Sequence, residues 1–339
     1  MRIGVDAMGG DYAPREIVRG VIEALPSLGG NEIVLVGQEQ AIRVELEQAG
    51  AGELNGQVSI VHASQVIDMG ESPVEAVRQK KDSSIARIAQ MAGRGELDAI
   101  ISAGNTGAFA AASQLRMKLL PGVARPGIAV VIPSFTGPIV LCDAGANITP
   151  RPLHLIQYAI MASAYAKHVL RIDKPRVALL SIGEEESKGT QLVRETHEKL
   201  WKCGAIHFVG NCEGRDLFRG SCDVVICDGF SGNITLKLAE GLAEGLFKTI
   251  AKEVQLGSPD LAERIQPLFK RIWANHDYAE FGGAPLLGVD GVCIICHGSS
   301  DHVAIRNAVR VAKEYHEFNL NAIITEAIAS VTPADAAEA

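Results

Sequence analysis

The chain has 339 residues, 47% hydrophobic and 21% charged, enough for a large core in one or two domains. Its formal net charge of −8 argues against general nucleic-acid binding, but not against a phosphate substrate, because local N–H groups and cations decide that. The chain does not open on a basic segment followed by an apolar stretch, and no run reaches the ~18 apolar residues of a spanning helix; a cytoplasmic protein without signal peptide is expected.

Short runs rich in Val and Ile predict strands at Ile3–Asp6, Glu32–Val36, Val58–His62, Ala99–Ser102, Ile128–Ile132, Ile139–Asp143, Val177–Ile182, Ile206–Val209, Val224–Asp228 and Val292–Cys296. Between them lie helical patterns, at Pro14–Leu25, Ala41–Ala49, Ser84–Ala92, Thr106–Lys118, Leu153–Val169, Thr190–Cys203 and Asn233–Val254. Pro14 suits a first helical turn, and Ser83 or Ser84 a cap. The alternation predicts an α/β fold, a doubly wound and largely parallel sheet with helices on both faces. The pair Ile128–Ile132 and Ile139–Asp143, joined by a Pro-Ser-Phe-Thr-Gly-Pro turn, reads as a local hairpin, so the sheet is mixed. No linker or repeat divides residues 1–330, which read as one catalytic domain; the small, acidic stretch 331–339 reads as a disordered tail.

One segment, about 245–275, departs from the alternation. Leu238, Leu242, Leu246, Phe247, Ile250 and Val254 form a helical apolar stripe. After a break at Gly257-Ser-Pro259 comes a second: Leu261, Ile265, Leu268, Phe269, Ile272 and Trp273, flanked by Arg264, Lys270 and Arg271. Such a helix lies on a membrane surface or packs on the core or a second subunit; by its residues alone, packing is favoured.

Six strands run into Gly-rich polar turns that precede helices: after Asp6, Ser102, Asp143, Ser181, Asp228 and His297. A parallel sheet would align all six along one edge, where open α/β sheets bind ligands and helix N-termini meet anions. The first turn, Asp6-Ala-Met-Gly-Gly-Asp11, is neither a dinucleotide fingerprint nor a Walker loop, so no nucleotide cofactor is expected. Candidate phosphate or substrate ligands are Asp6, Gly9, Gly10, Asp11, Asn105, Thr106, Asn147, Asn233 and Lys237; Lys188, Asp228 and His297 are the catalytic candidates. Helix capping competes as a role for the asparagines, solvation for Lys188, and a structural role for His297. Seven cysteines, an odd number within apolar runs, read as reduced and buried. Cys293-Ile-Ile-Cys296-His297 matches a c-type haem pattern, but residues three apart on a strand face opposite sides; no zinc spacing is present and no metal is expected. There is no Gly-x-Ser-x-Gly elbow, which suits a reaction whose nucleophile is bound phosphate.

Together these motifs resemble one family. Asp6-Ala-Met-Gly-Gly-Asp11, Lys81-Asp-Ser-Ser84, Ser102-Ala-Gly-Asn-Thr-Gly-Ala108, Asp143-Ala-Gly-Ala-Asn147, Ile182-Gly-Glu-Glu-Glu186 with Lys188-Gly189, Cys227-Asp-Gly-Phe-Ser-Gly-Asn233, and Leu286-Leu-Gly288 before His297-Gly298 are similar, in order, to the bacterial phosphate acyltransferases of phospholipid synthesis. The resemblance implies a fold like those of isopropylmalate dehydrogenase and phosphate acetyltransferase. It implies transfer of a long-chain acyl group from acyl carrier protein to inorganic phosphate, with no organic cofactor. The acyl phosphate product would pass to a glycerol-3-phosphate acyltransferase. It also implies a homodimer, and peripheral contact with membrane phospholipid through the segment matching Leu246–Trp273. On this reading helix N-termini at Gly9-Gly10, Asn105-Thr106 and Gly232-Asn233, with Lys188 or Lys237, hold the phosphate. The competing readings are a phosphate acetyltransferase-like enzyme using short acyl-CoA and a non-catalytic carrier-protein or membrane scaffold.

Overall fold

A computed structural model describes all residues except 52–55, 277–280 and 332–339, so most of the expected tail lies outside the described residues. The strands are β1 (Arg2–Asp6), β2 (Glu32–Gly37), β3 (Val58–His62), β4 (Ala99–Ser102), β5 (Gly127–Ser134), β6 (Gly137–Cys142), β7 (Arg176–Leu180), β8 (His207–Cys212), β9 (Val224–Ile226), β10 (Ala284–Leu287) and β11 (Val292–Ile295). The helices are α1 (Arg15–Ala24), α2 (Glu39–Gln48), α3 (Pro73–Gln79), α4 (Ser84–Gly93), α5 (Thr106–Met117), α6 (Pro152–His168), α7 (Gln191–Lys202), α8 (Gly229–Gly257), α9 (Pro259–His276), α10 (His302–Glu317) and α11 (Leu320–Val331). Val331 closes α11 rather than opening a tail.

The strands form one sheet in the order β3-β2-β1-β4-β11-β10-β5-β6-β9-β7-β8. Alternate residues of each strand enter opposite cores. Ile3, Val5, Ile33, Leu35, Ile101 and Ile294 join one side with residues of α1, α6, α10 and α11. Val34, Val36, Ile100 and Cys293 join the other with residues of α3, α4 and α5. This period of two, buried on both faces, is what a sheet sandwiched between helices requires. Cys293 and Cys296 fall in different cores, as their spacing predicts, and all seven thiols are buried and unbridged.

The sense of the strands changes across the sheet. From β3 through β11 all five run parallel. β10 is antiparallel to both neighbours, so β5 resumes the first direction. The β5–β6 hairpin reverses it, and β9, β7 and β8 then follow β6. The expectation that six turns share one edge is therefore corrected. The turns after β1, β4 and β11 leave one edge, and those after β6, β7 and β9 leave the other.

α8 spans 29 residues, about 43 Å at 1.5 Å per residue. Ile234, Leu238, Leu242, Leu246 and Ile250, four apart, are 43–68% exposed, so this stripe does not pack on the core. Phe247 meets Phe269 at 6.3 Å and ties α8 to α9, on which Leu261, Leu268 and Ile272 are also exposed. Among the described residues no helix is long and apolar enough to cross a membrane.

Candidate active site

At the first edge, Asp6 ends β1 fully enclosed. Its carboxylate accepts from Ser102 Oγ at 2.6 Å and from the Met8 N–H at 3.0 Å, with further bonds from Ser84 and the Gly9 N–H. Burial pushes its pKa above the usual carboxylate range, and these donors oppose the rise. The acid thus holds the turn together. Gly9 and Gly10 serve the same purpose. A Cβ on Gly9 would stand 2.5 Å from the Gly104 nitrogen; Gly10 has φ +103° and packs against the Gly298 carbonyl. These glycines let three turns approach one another. Asp11 is exposed, and its N–H donates to Gly298 O at 2.8 Å.

Asn105 caps α5, its Oδ1 accepting the Ala108 N–H at 3.0 Å. Its Nδ2 donates to the carbonyls of Asp68, Met69 and Glu71 at 3.1–3.2 Å, pinning the loop before α3. The side chain is fully committed. The N–H groups of exposed Thr106 and Gly107 have no acceptor among the described residues, so the anion-binding capacity here is in the backbone. His297 is exposed just beyond β11, with Nδ1 2.7 Å from Ser299 Oγ.

At the opposite edge, Asp143 follows β6 with no exposed surface. Its carboxylate receives the N–H groups of Ile128, Gly145, Ala146 and Asn147 at 2.6–3.2 Å. Burial raises its pKa against these donors. The amides of 145–147 therefore turn inward to the protein's own carboxylate. Asn147 Nδ2 donates to Pro126 O and Tyr158 OH, each at 2.7 Å, and its carbonyl accepts the Gly229 N–H. Asn233 lies beside Gly145, where a Cβ would be 3.7 Å from its own Cβ.

Asp228 caps α8; its carboxylate accepts from Ser231 N at 2.9 Å and Ser231 Oγ at 2.8 Å. Gly232 and Asn233 consequently lie inside the first turns, and the Gly232 N–H is already bonded to Asp228 O. The helix starts at Gly229, four residues before the Asn233 expected from the sequence, because Asp228 caps it rather than ending the strand. The Gly232-Asn233 peptide is thus not a helix terminus.

Lys188 is exposed in the turn after β7, a turn held to β8 by Asn211 Nδ2 on Glu185 O at 3.1 Å. Lys237 is exposed on α8 one turn past Asn233. Another turn on, half-buried Glu240 senses the charges of both His297 and Lys237; burial raises its pKa, and those two groups lower it. α8 thus carries polar groups from the Asp143 edge to the His297 edge. Glu240 was missed by the sequence reading, although its spacing from Asn233 and Lys237 placed all three on one helix flank. Among the described residues no cluster of three or more His, Cys, Asp or Glu side chains is arranged for a metal.

A family model described as "Fatty acid synthesis protein" matches residues 1–322. A phosphate acyltransferase of Pelotomaculum thermopropionicum is 49% identical over 336 residues, 98% of this chain and 96% of that one. One from Desulforamulus reducens is 48% identical, with 97% of each chain covered. Among solved structures, a phosphotransacetylase from Streptococcus pyogenes aligns over 94% of both chains, with a TM-score of 0.62 and 18% identity. The EutD phosphotransacetylase of Staphylococcus aureus aligns at TM-score 0.58 and 14% identity, covering 93% of this chain and 94% of that one. At such identities these two establish a shared fold.

Proposed function

The chain belongs to the phosphate acyltransferase family, and on that premise we propose that it transfers a long-chain acyl group from acyl carrier protein to inorganic phosphate. A phosphate oxygen attacks the thioester carbonyl carbon; the C–O bond forms, the C–S bond breaks, and the carrier thiolate leaves and takes up a proton. The observation that carries direct attack is that the thiols and two of the turn serines are not free to act as nucleophiles. All seven thiols are buried, Cys293 and Cys296 pushed up to about 12 by burial, and the turn serines Ser102 and Ser231 are bound to carboxylates.

The Thr106 and Gly107 N–H groups supply anion donors at the first edge, Lys188 and Lys237 supply cations, and His297 and Glu240, which senses its charge, are the proton-transfer candidates. Positioning accounts for much of the rate, because bound phosphate and thioester react as a single unit. The exposed apolar face of α8 and α9 supports a homodimer and peripheral contact with phospholipid. A glycerol-3-phosphate acyltransferase would consume the product.

The test is incubation with palmitoyl-acyl carrier protein and phosphate, following free carrier thiol and acyl phosphate together. Phosphate-dependent appearance of both is expected. Silence there, with turnover of acetyl-CoA and phosphate, would move the chain to short acyl-CoA chemistry; silence in both would leave a scaffold.

A further inference from the structure

Two side chains behind the turn that carries Lys188 were passed over by the sequence reading: His197 of α7 and Asn211 of β8. The turn, residues 181–189, is fixed at both ends. The Ser181 N–H donates to Cys212 O at 2.8 Å, and Gly189 O accepts from Arg194 Nη1 at 2.7 Å. Between these ends Glu185 O accepts two bonds. The Lys188 N–H at 3.0 Å closes the turn, and Asn211 Nδ2 at 3.1 Å ties it to β8. Among the described residues no other hydrogen bond reaches residues 182–188 from outside the turn. Lys188 lies over Gly183, where a Cβ would stand 2.9 Å from its Cγ, so the base of the lysine side chain rests on the turn itself.

The bond from Asn211 is set from further back. His197 is 5% exposed, its ring edge-on to Trp201 and Phe208 at centroid distances of 6.1 and 5.3 Å. The indole N–H of Trp201 can only donate, and it lies 2.7 Å from His197 Nε2, which therefore accepts. The ring proton is then on Nδ1 and is donated to Asn211 Oδ1 at 2.8 Å. With its oxygen so engaged, the Asn211 amide turns its nitrogen to Glu185 O. Trp201, His197, Asn211 and Glu185 thus form one chain of hydrogen bonds with a single direction. Glu186 Oε1, from the same turn, comes within 3.7 Å of His197 Nε2.

Packing alone does not call for such a chain. An apolar side chain between Trp201 and Phe208 would bring no polar group to satisfy, whereas an imidazole this enclosed is costly unless its nitrogens are bonded. What the polar chain adds is a fixed place for one carbonyl, and that carbonyl is the one that holds the Lys188 amide.

We propose that His197 and Asn211 are positioning residues for phosphate transfer, holding through the Glu185 carbonyl the turn that presents Lys188 to the substrate phosphate. The proposal rests on the phosphate acyltransferase reading and on Lys188 as a phosphate ligand.

Three variants separate the links. Asn211→Asp keeps an acceptor for His197 and loses the donor to Glu185 O. His197→Gln keeps an acceptor near Nε2 for Trp201, and His197→Asn keeps a donor near Nδ1 for Asn211. Phosphate KM, carrier-protein KM and kcat are measured for each, alone and combined with Lys188→Ala, with thermal midpoints as the folding control. Phosphate KM is expected to rise about fivefold or more in Asn211→Asp and His197→Gln and to be partly restored in His197→Asn, with carrier-protein KM within about twofold of wild type. In the Lys188→Ala background Asn211→Asp should add less than about twofold, because its effect passes through that lysine. A merely structural role would lower the midpoints without this pattern. The proposal is overturned if phosphate KM stays within about twofold in both Asn211→Asp and His197→Gln, if carrier-protein KM alone rises, if Lys188→Ala leaves phosphate KM unchanged, or if the Asn211 and Lys188 effects multiply in full. Failure of wild type to turn over would refute the functional reading instead. Titration of inorganic phosphate followed by phosphorus NMR then decides separately: binding weakened in Asn211→Asp and His197→Gln but not in His197→Asn supports the positioning role, and binding that is equal or absent throughout overturns it.

Discussion

Asp6 and Ser102 meet at 2.6 Å between the ends of adjacent parallel strands, neither more than 2% exposed. The carboxylate gathers donors from the turn after β1, from β4 and from the start of α4 at once. Asp6→Ala orphans them and is expected to cost about 1–3 kcal/mol in urea unfolding at pH 7. Burial raises the folded pKa above the unfolded value, so this group's contribution to stability falls as pH climbs between the two. Asp6→Asn removes that slope; its deficit against wild type should shrink from pH 4 to pH 7, and a constant deficit would contradict the assignment.

Glu16 of α1 presents the opposite sign. Its Oε2 accepts from the His302 N–H at 3.1 Å and lies 2.7 Å from His302 Nδ1, at the start of α10. The bond with His302 holds its pKa below the usual carboxylate range. The stabilisation is therefore present above the unfolded pKa and lost as pH falls through the folded one. Glu16→Gln should cost about 1–2 kcal/mol at pH 7, and the deficit should narrow as pH falls below the unfolded pKa, read by unfolding midpoints across that range.

Asn105→Ala removes a helix cap and three tethers of the loop before α3. A loss of about 1 kcal/mol is expected from the cap. Hydrogen exchange should speed up across residues 68–73 while β4 keeps its protection; unchanged exchange in that loop would refute the tether.

Two glycines of α8 should respond in opposite directions. A Cβ on Gly232 would overlap the Asp143 carbonyl oxygen and stand 2.9 Å from Cys227 Sγ, whereas Gly241 has open space. Gly232→Ala is expected to cost about 3 kcal/mol or more. Gly241→Ala should stabilise by up to about 1 kcal/mol, since alanine is the better helix former. Thermal melts of the pair provide the check.

Lys188→Ala and Lys237→Ala should each raise the phosphate KM about tenfold, with melting temperatures unchanged because both side chains are exposed. Unaltered phosphate saturation in both variants would remove lysine from the phosphate site.

Strands buried on both faces were legible because Val and Ile runs carry their own signal; β4 matches its predicted range to the residue. β10 was not read, because Ala-Pro-Leu-Leu offers neither length nor period. The β5–β6 hairpin was read, but the reversal it imposes on every strand beyond it was not followed through, and so the turns were assigned to a single edge. Asp6, Asn105 and Asn147 stood out as polar residues in turns. Their partners did not, because Ser102 is 96 residues from Asp6 and the carbonyls held by Asn105 are 34–37 residues away.

Seven thiols sealed in the interior make the chain its own reporter of opening. A colorimetric disulfide reagent should find almost no reactive sulfur in the native protein and all seven after denaturation. The rate at which each cysteine becomes labelled would time the breathing of its own strand or turn, with no probe introduced.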